Sequence, residues 1–209
     1  GTGSGKSTLV GLLMRLYDPD AGAVYVGGRN VKSYPKEELN RKFGAVFQND
    51  FLMAASVRGN IDFERGLSDE QIARAAEYAQ ASGFIGEHGG MDAELTARGS
   101  NFSGGQKQRL LIARALAASP EILVLDDSSS ALDYKTDARL RKTLFENMPE
   151  TTVVLIAQRI SSVRFADHIL VLDGGRMVGF GTDAELMQRC EEYRRIYDSQ
   201  HGEGGEEDA

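Results

Sequence analysis

The chain has 209 residues, 41% of them hydrophobic and 26% charged, with a net charge of −7. That size and mixture fit one globular domain, with room for an inserted subdomain, and exclude disordered, collagen-like and coiled-coil chains. Four acids of the tail, Glu203, Glu206, Glu207 and Asp208, carry much of the charge, and the rest offers no broad basic surface for nucleic acid.

The chain opens on Gly1-Thr2-Gly3-Ser4-Gly5-Lys6-Ser7-Thr8, the end of a G-x-x-x-x-G-K-[ST] pattern whose first glycine would fall one position before Gly1. A strand is expected ahead of such a loop, so the chain reads as a fragment that has lost its N-terminal part. Glycines let the backbone curl until successive N–H groups face one centre, and a following helix adds its positive end. Gly3, Ser4 and Gly5 then cradle the α- and β-phosphates of a nucleoside triphosphate. Lys6 reaches the β- and γ-phosphates, the Ser7 hydroxyl binds Mg²⁺, and Thr8 donates to the α-phosphate. Leu9, Leu12, Leu13 and Leu16 follow at helical spacing and place a helix after Lys6, which a plain surface turn would not have.

Strand-like runs follow at Ala23–Val26 and Phe43–Phe47. From Phe51 to Ala118 the pattern turns helical, with helices expected over Asp69–Ser82 and Ser103–Ala118, so 51–118 reads as an inserted helical subdomain within a core of about 1–50 and 119–200. The second of these helices opens on Ser103-Gly104-Gly105-Gln106. Ser103 and Gln106 have capping-box spacing. Two glycines make a poor first turn for stability alone, and make sense if a ligand must approach the backbone closely. Ser103 Oγ, the first N–H groups and the helix dipole would form a second anion site. One nucleotide cannot easily use both sites within a compact domain. Two chains packed head to tail, each lending this turn to the other's nucleotide, is the simplest arrangement.

Ile122-Leu123-Val124-Leu125 then ends in Asp126-Asp127. A buried strand ending in an acid at the carboxyl edge of a parallel sheet is where P-loop NTPases hold Mg²⁺. Asp126 is the expected metal ligand, and Asp127 is placed to orient or deprotonate the attacking water. A helix over Lys135–Asn147, strands at Thr152–Ala157, Ile169–Leu172 and Met177–Phe180, and helices at Ala184–Arg189 and Glu191–Asp198 complete the chain. The aliphatic runs at 122, 152 and 169 predict strands buried on both faces. Residues 201–209 read as an acidic disordered tail. Alternating strands and helices give an α/β fold with a mainly parallel sheet flanked by helices, and with the opening loop it resembles a P-loop NTPase, RecA-like. The lone Cys190 excludes an internal disulfide, and it, His88, His168, Tyr193 and Tyr197 read as packing residues. No run of the chain is long and apolar enough to span a membrane.

In this order the motifs resemble the nucleotide-binding domain of an ABC transporter, over almost the whole chain. Gly3–Thr8 corresponds to the end of Walker A and Ile122–Asp126 to Walker B. Val46-Phe47-Gln48-Asn49-Asp50 corresponds to the Q-loop, Phe102–Gln106 to the signature and Ser130-Ala131-Leu132-Asp133 to the D-loop. The stretches Asn101–Leu116 and Ile169–Thr182 are most similar to bacterial exporters, which fuse a transmembrane domain ahead of this one. The resemblance implies a Mg-ATP-hydrolysing domain at the cytoplasmic face of the bacterial cell membrane. Gln48 senses Mg²⁺ and the γ-phosphate, Phe51–Ile61 lies near the transmembrane contact, and Ser103, Gly104, Gly105 and Gln106 act on the partner's ATP.

Two positions depart from the family. The general base after Walker B is normally Glu and here is Asp127; the switch His is replaced by Gln158. Asp falls short by one C–C bond, ~1.5 Å, and a misplacement near ~1 Å can cost ~100-fold in rate. Gln158 hydrogen-bonds but does not titrate. Lys6, Ser7, Asp126 and the signature are intact, which resembles the degenerate-site half of a heterodimeric exporter. The alternatives are a slow homodimeric exporter ATPase, a soluble ABC ATPase without a transport role, and a nucleotide clamp that does not turn over.

Overall fold

A computed structural model describes residues 3–128 and 131–202, in two compact units. The elements in chain order are α1 (Lys6–Leu13), β1 (Tyr25–Val26), β2 (Arg29–Asn30), α2 (Lys36–Arg41), β3 (Phe43–Val46), α3 (Val57–Asp62), α4 (Asp69–Tyr78) and α5 (Ser82–Glu87). They continue with α6 (Gly104–Ala117), β4 (Ile122–Asp126), α7 (Tyr134–Asn147), β5 (Thr152–Ile156), α8 (Ile160–Val163), β6 (Ile169–Asp173), β7 (Arg176–Gly181), α9 (Asp183–Arg189) and α10 (Glu191–Gly202). Short 3-10 turns lie at Val31–Ser33 and Ala97–Gly99. Among the described residues no helix is long and apolar enough to cross a membrane.

The larger unit runs from Tyr25 to Leu155. Its sheet has the order β3-β4-β5, and β3 and β4 are parallel, with Phe43 opposite Ile122 and Val46 opposite Leu125. β4 is aliphatic because it is enclosed: Leu123 and Val124 are fully buried. α6 is the central rod of this unit. Leu110, Ile112 and Ala113 are fully buried in a core shared with Val57 and Ile61 of α3 and Ile72 and Ala76 of α4. Gly44 makes the closest approach, since a Cβ there would lie 2.3 Å from the Ala115 carbonyl oxygen. That neighbour is helix backbone and cannot rotate away. Gly44→Ala is therefore expected to cost about 1–3 kcal/mol, read as an earlier urea unfolding midpoint.

The smaller unit comprises 1–24 and 156–209. Its sheet is the antiparallel pair β6–β7, from Ile169 opposite Gly181 to Asp173 opposite Arg176. Ile160, Ile169, Val171, Leu186, Cys190 and Tyr193 form its core. The Cys190 thiol is buried against Val178 and the Tyr193 hydroxyl donates to Asp183 at 2.7 Å, so both residues pack as expected. Burial and the Asp183 carboxylate push the Tyr193 phenol well above its ordinary range.

Three expectations need correction. The helix predicted over Asp69–Ser82 is two helices. α4 ends in a left-handed Gln80 (φ 58°), with Ala81 N–H donating to Ala76 O and Gln80 N–H to Glu77 O, the 6→1 and 5→2 bonds of a Schellman end built without glycine. Burial on both faces holds for β4 but not for the other two strands: Val153 of β5 is 44% exposed and Leu170 of β6 is 39% exposed. β6 alternates because only one of its faces packs on the smaller core. α10 continues through His201 to Gly202, two residues placed in the expected tail, and 203–209 lie outside the described residues.

Candidate functional site

In the smaller unit two glycines of the opening loop have conformations that favour glycine. Gly3 (φ 85°) and Gly5 (φ 95°) are left-handed, where a Cβ is strained, and Gly5 is the residue from which α1 starts. Ser4 is buried and accepts from Lys6 Nζ at 2.8 Å. Ser7 and Thr8 are exposed on the first turn of α1, so their hydroxyls stand at its positive end. Tyr17 packs over the far side of this helix. Its hydroxyl donates to Thr8 O at 2.7 Å, and its ring occupies the space where a Cβ of Gly11 would be.

Gln158 lies in the same unit, exposed, just after β5. Its backbone is held by α10. Gln200 Nε2 donates to Gln158 O at 2.8 Å and Gln200 Oε1 accepts from Ile160 N at 2.9 Å. This two-ended amide clamp was not foreseen in the sequence, because Gln200 sits in a polar helix end with nothing local to mark it.

The remaining predicted site residues belong to the larger unit. Gln48 is exposed in the turn after β3, where Phe47 N–H donates to the Asp50 carboxylate at 2.8 Å and Asp50 N–H returns to Phe47 O. Asp126 ends β4 and is 5% exposed. Asp127 is half-buried with φ 51°. Asp is among the few non-glycine residues that adopt this left-handed conformation readily. The backbone here therefore favours Asp over Glu, which the sequence did not reveal.

Ser103 caps α6 with a full box: its Oγ accepts from Gln106 N at 3.2 Å and Gln106 Oε1 accepts from Ser103 N at 2.8 Å. A hydroxyl that accepts keeps its own proton to donate. The two glycines differ. A Cβ on Gly105 would lie 3.1 Å from Ala131 O, whereas no atom of the described residues lies within 4 Å of one on Gly104. Among the described residues no neighbour of Gly104 requires a glycine at this first position of the helix. Phe102 is buried and stacks on His88 at 4.5 Å, which fits the packing role expected of both.

Of the predicted D-loop, Ser130 lies outside the described residues. Ala131 is exposed, and Leu132 packs against the main core. Asp133 is the cap of α7, its two carboxylate oxygens accepting from Thr136 Oγ1 at 2.7 Å and Thr136 N at 2.9 Å. Those bonds, the hydroxyl's first, hold its carboxyl below the usual range. The structure thus brings Gly105 beside Ala131, two predicted segments 26 residues apart.

Two arginines of α6 escaped the sequence analysis. Arg114 donates from Nε to Asn60 O, from Nη2 to Asn60 Oδ1 and from Nη1 to Phe51 O. Asn60 is fully buried and binds the backbone of Met53, Ala55 and Ser56. Arg109 is considered below. The available signal was Arg114 inside the aliphatic run Leu110–Ala117, with Arg109 at its start.

Residues 1–130 match the family model described as ABC transporter. The chain is 43% identical over 208 residues to the ABC transporter ATP-binding protein YfiB of Bacillus subtilis, covering 99% of this chain and 36% of that protein. It is 41% identical over 202 residues to the protein y4gM of Sinorhizobium fredii, described in the same words, covering 95% of this chain and 34% of that one. It also superimposes on a bacterial Atm1-family ABC exporter with ATP bound, with a TM-score of 0.91 and 35% identity over 96% of this chain and 36% of the exporter chain. The α/β architecture is that of this exporter's ATPase domain. The chain spans about a third of the length of each of these proteins.

Proposed function

The chain belongs to the ABC transporter family, and from that premise we propose that it is the ATP-hydrolysing domain of an exporter, working in a head-to-tail pair. Its own nucleotide site is degenerate, and its signature turn completes the competent site of a different partner half. A transmembrane domain precedes it in the full-length protein, which sits at the cytoplasmic face of the bacterial cell membrane. The observation that carries the proposal is the first turn of α6, where no neighbour among the described residues explains Gly104 and Ser103 keeps a hydroxyl proton to donate. Both suit a phosphate arriving from another molecule.

Within its own site the chain binds more than it hydrolyses. Gly3, Ser4 and Gly5 shape the loop, Lys6 neutralises the β- and γ-phosphates, and Thr8 donates to the α-phosphate. Ser7, Gln48 and Asp126 offer a hydroxyl, an amide oxygen and a carboxylate, an all-oxygen donor set that suits Mg²⁺. When bound, Mg²⁺ offsets phosphate charge. Asp127 orients the attacking water from one bond too far away, and Gln158 hydrogen-bonds the γ-phosphate without a titrating ring.

The test restores what is missing. In the full-length pair, with the partner's own hydrolysis disabled, Asp127→Glu and Gln158→His together are expected to raise single-site turnover by roughly 10-fold or more. Asp127→Glu alone gains less, because Glu loses the left-handed comfort of Asp at φ 51°. Normal ATP binding with no gain in the double variant counts against a degenerate site.

A further inference from the structure

The guanidinium of Arg109 lies under the signature turn and makes a fork. Its Nε donates to Gly105 O at 3.2 Å and its Nη1 donates to Gln80 O at 2.8 Å. Gln80 is the left-handed residue that ends α4, and its own Nε2 donates to Thr143 Oγ1 of α7 at 3.0 Å. α7 is the helix that Asp133 caps. A chain of hydrogen bonds therefore runs from Gly105 through Arg109 and Gln80 to α7, and the circuit closes where Gly105 abuts Ala131 O. Burial works against the charge on Arg109, and the Asp133 carboxylate supports it. The arginine also lies over the Phe84 ring at 4.6 Å, and Phe84 meets Phe102 edge-on, so the residue before Ser103 is held by the same group.

We infer that Arg109 is a positioning residue that locks the signature turn to the 131–133 segment as one unit, so that both present a single fixed surface to the partner's nucleotide. This rests on the proposal above that the signature turn acts across the dimer. The physical reason for Arg is its planar fork, which reaches two carbonyls at once; an ammonium is a single point charge. A carbonyl pulled in at Gly105 also sets the tilt of the first turn, and hence the direction of the N–H groups that a phosphate would meet.

The test uses the full-length transporter reconstituted with its partner, and reads steady-state kcat, KM for ATP and binding of a fluorescent ATP analogue. Arg109→Gln is expected to lower kcat about 10-fold while KM and analogue binding stay within about two-fold, since a loosened turn misplaces the donors that act in the transition state. A purely structural defect would instead lower binding and turnover together. Arg109→Lys should recover no more than about a third of the loss, because charge without the fork reaches one carbonyl. Full kcat in Arg109→Gln, or full recovery in Arg109→Lys, overturns the inference. Should Arg109→Gln fail to fold, Thr143→Val carries the test by removing the partner of Gln80. It is expected to lower kcat about two- to three-fold at unchanged binding, and unchanged kcat overturns the inference. Gly105→Asp separates the two levels. If it keeps full turnover, the signature proposal itself fails. If it abolishes turnover while Arg109→Gln is normal, only the role of Arg109 fails.

Discussion

Gly105→Asp in the full-length pair is expected to lower steady-state ATP turnover by ~100-fold or more, the loss typical of removing a charge-stabilising donor from a working site. The new Cβ would start 3.1 Å from Ala131 O, so the turn or the neighbouring segment must give way. The added carboxylate is itself well suited to a helix N-terminus, so α6 still forms. It occupies the anion site with its own charge and repels the incoming phosphate. Binding of ATP by this chain's Lys6 and Ser7 should persist. The matched control is Asp127→Asn, which on the degenerate-site proposal removes a base already out of reach and should leave most turnover. Equal losses in both variants would show two equivalent sites and favour a homodimer using an Asp base.

The second large effect falls on binding. Lys6→Ala should weaken ATP affinity of the full-length protein by roughly 10- to 150-fold, the equivalent of about 1.5–3 kcal/mol for a hydrogen bond to a charged group. The cation facing the β- and γ-phosphates disappears, and so does the bond from Nζ to buried Ser4, which braces the loop between two left-handed glycines. Nucleotide titration of the full-length variant with the partner's site blocked is the direct measurement. Unchanged affinity would remove the opening loop from the nucleotide site.

Much of this was legible because the signals are local. The capping box at Ser103 and Gln106, the aliphatic run of β4 and the glycine conformations around Lys6 each follow from a few adjacent residues. The break at Gln80 was not legible, since 77–82 contains neither glycine nor proline. Helix-forming residues are turned out of the helix there by bonds from Arg109 and to Thr143, 29 and 63 positions away in sequence. The short helices α2, α3 and α8, of four to six residues, are too brief for a periodic pattern to show. Exposure of Val153 and Leu170 was missed because an aliphatic run states what a strand can bury, and its neighbours decide which faces are covered. In the sequence Asp127 is only a shortened Glu, because side-chain length is visible there and backbone handedness is not.

The placement of Arg114 gives α6 a mechanical character. One end of this helix carries Gly105; nine residues on, Arg114 grips Asn60 and Phe51 O, and Asn60 in turn holds the backbone of Met53, Ala55 and Ser56. At 1.5 Å per residue the two points are about 14 Å apart along a continuous hydrogen-bonded rod. Such a rod behaves as a lever arm. If 51–56 were pushed from outside, a tilt of only about 5° would swing the signature end by about 1 Å, enough to switch the rate about 100-fold. A displacement smaller than an atomic diameter at one surface would suffice to gate chemistry at another.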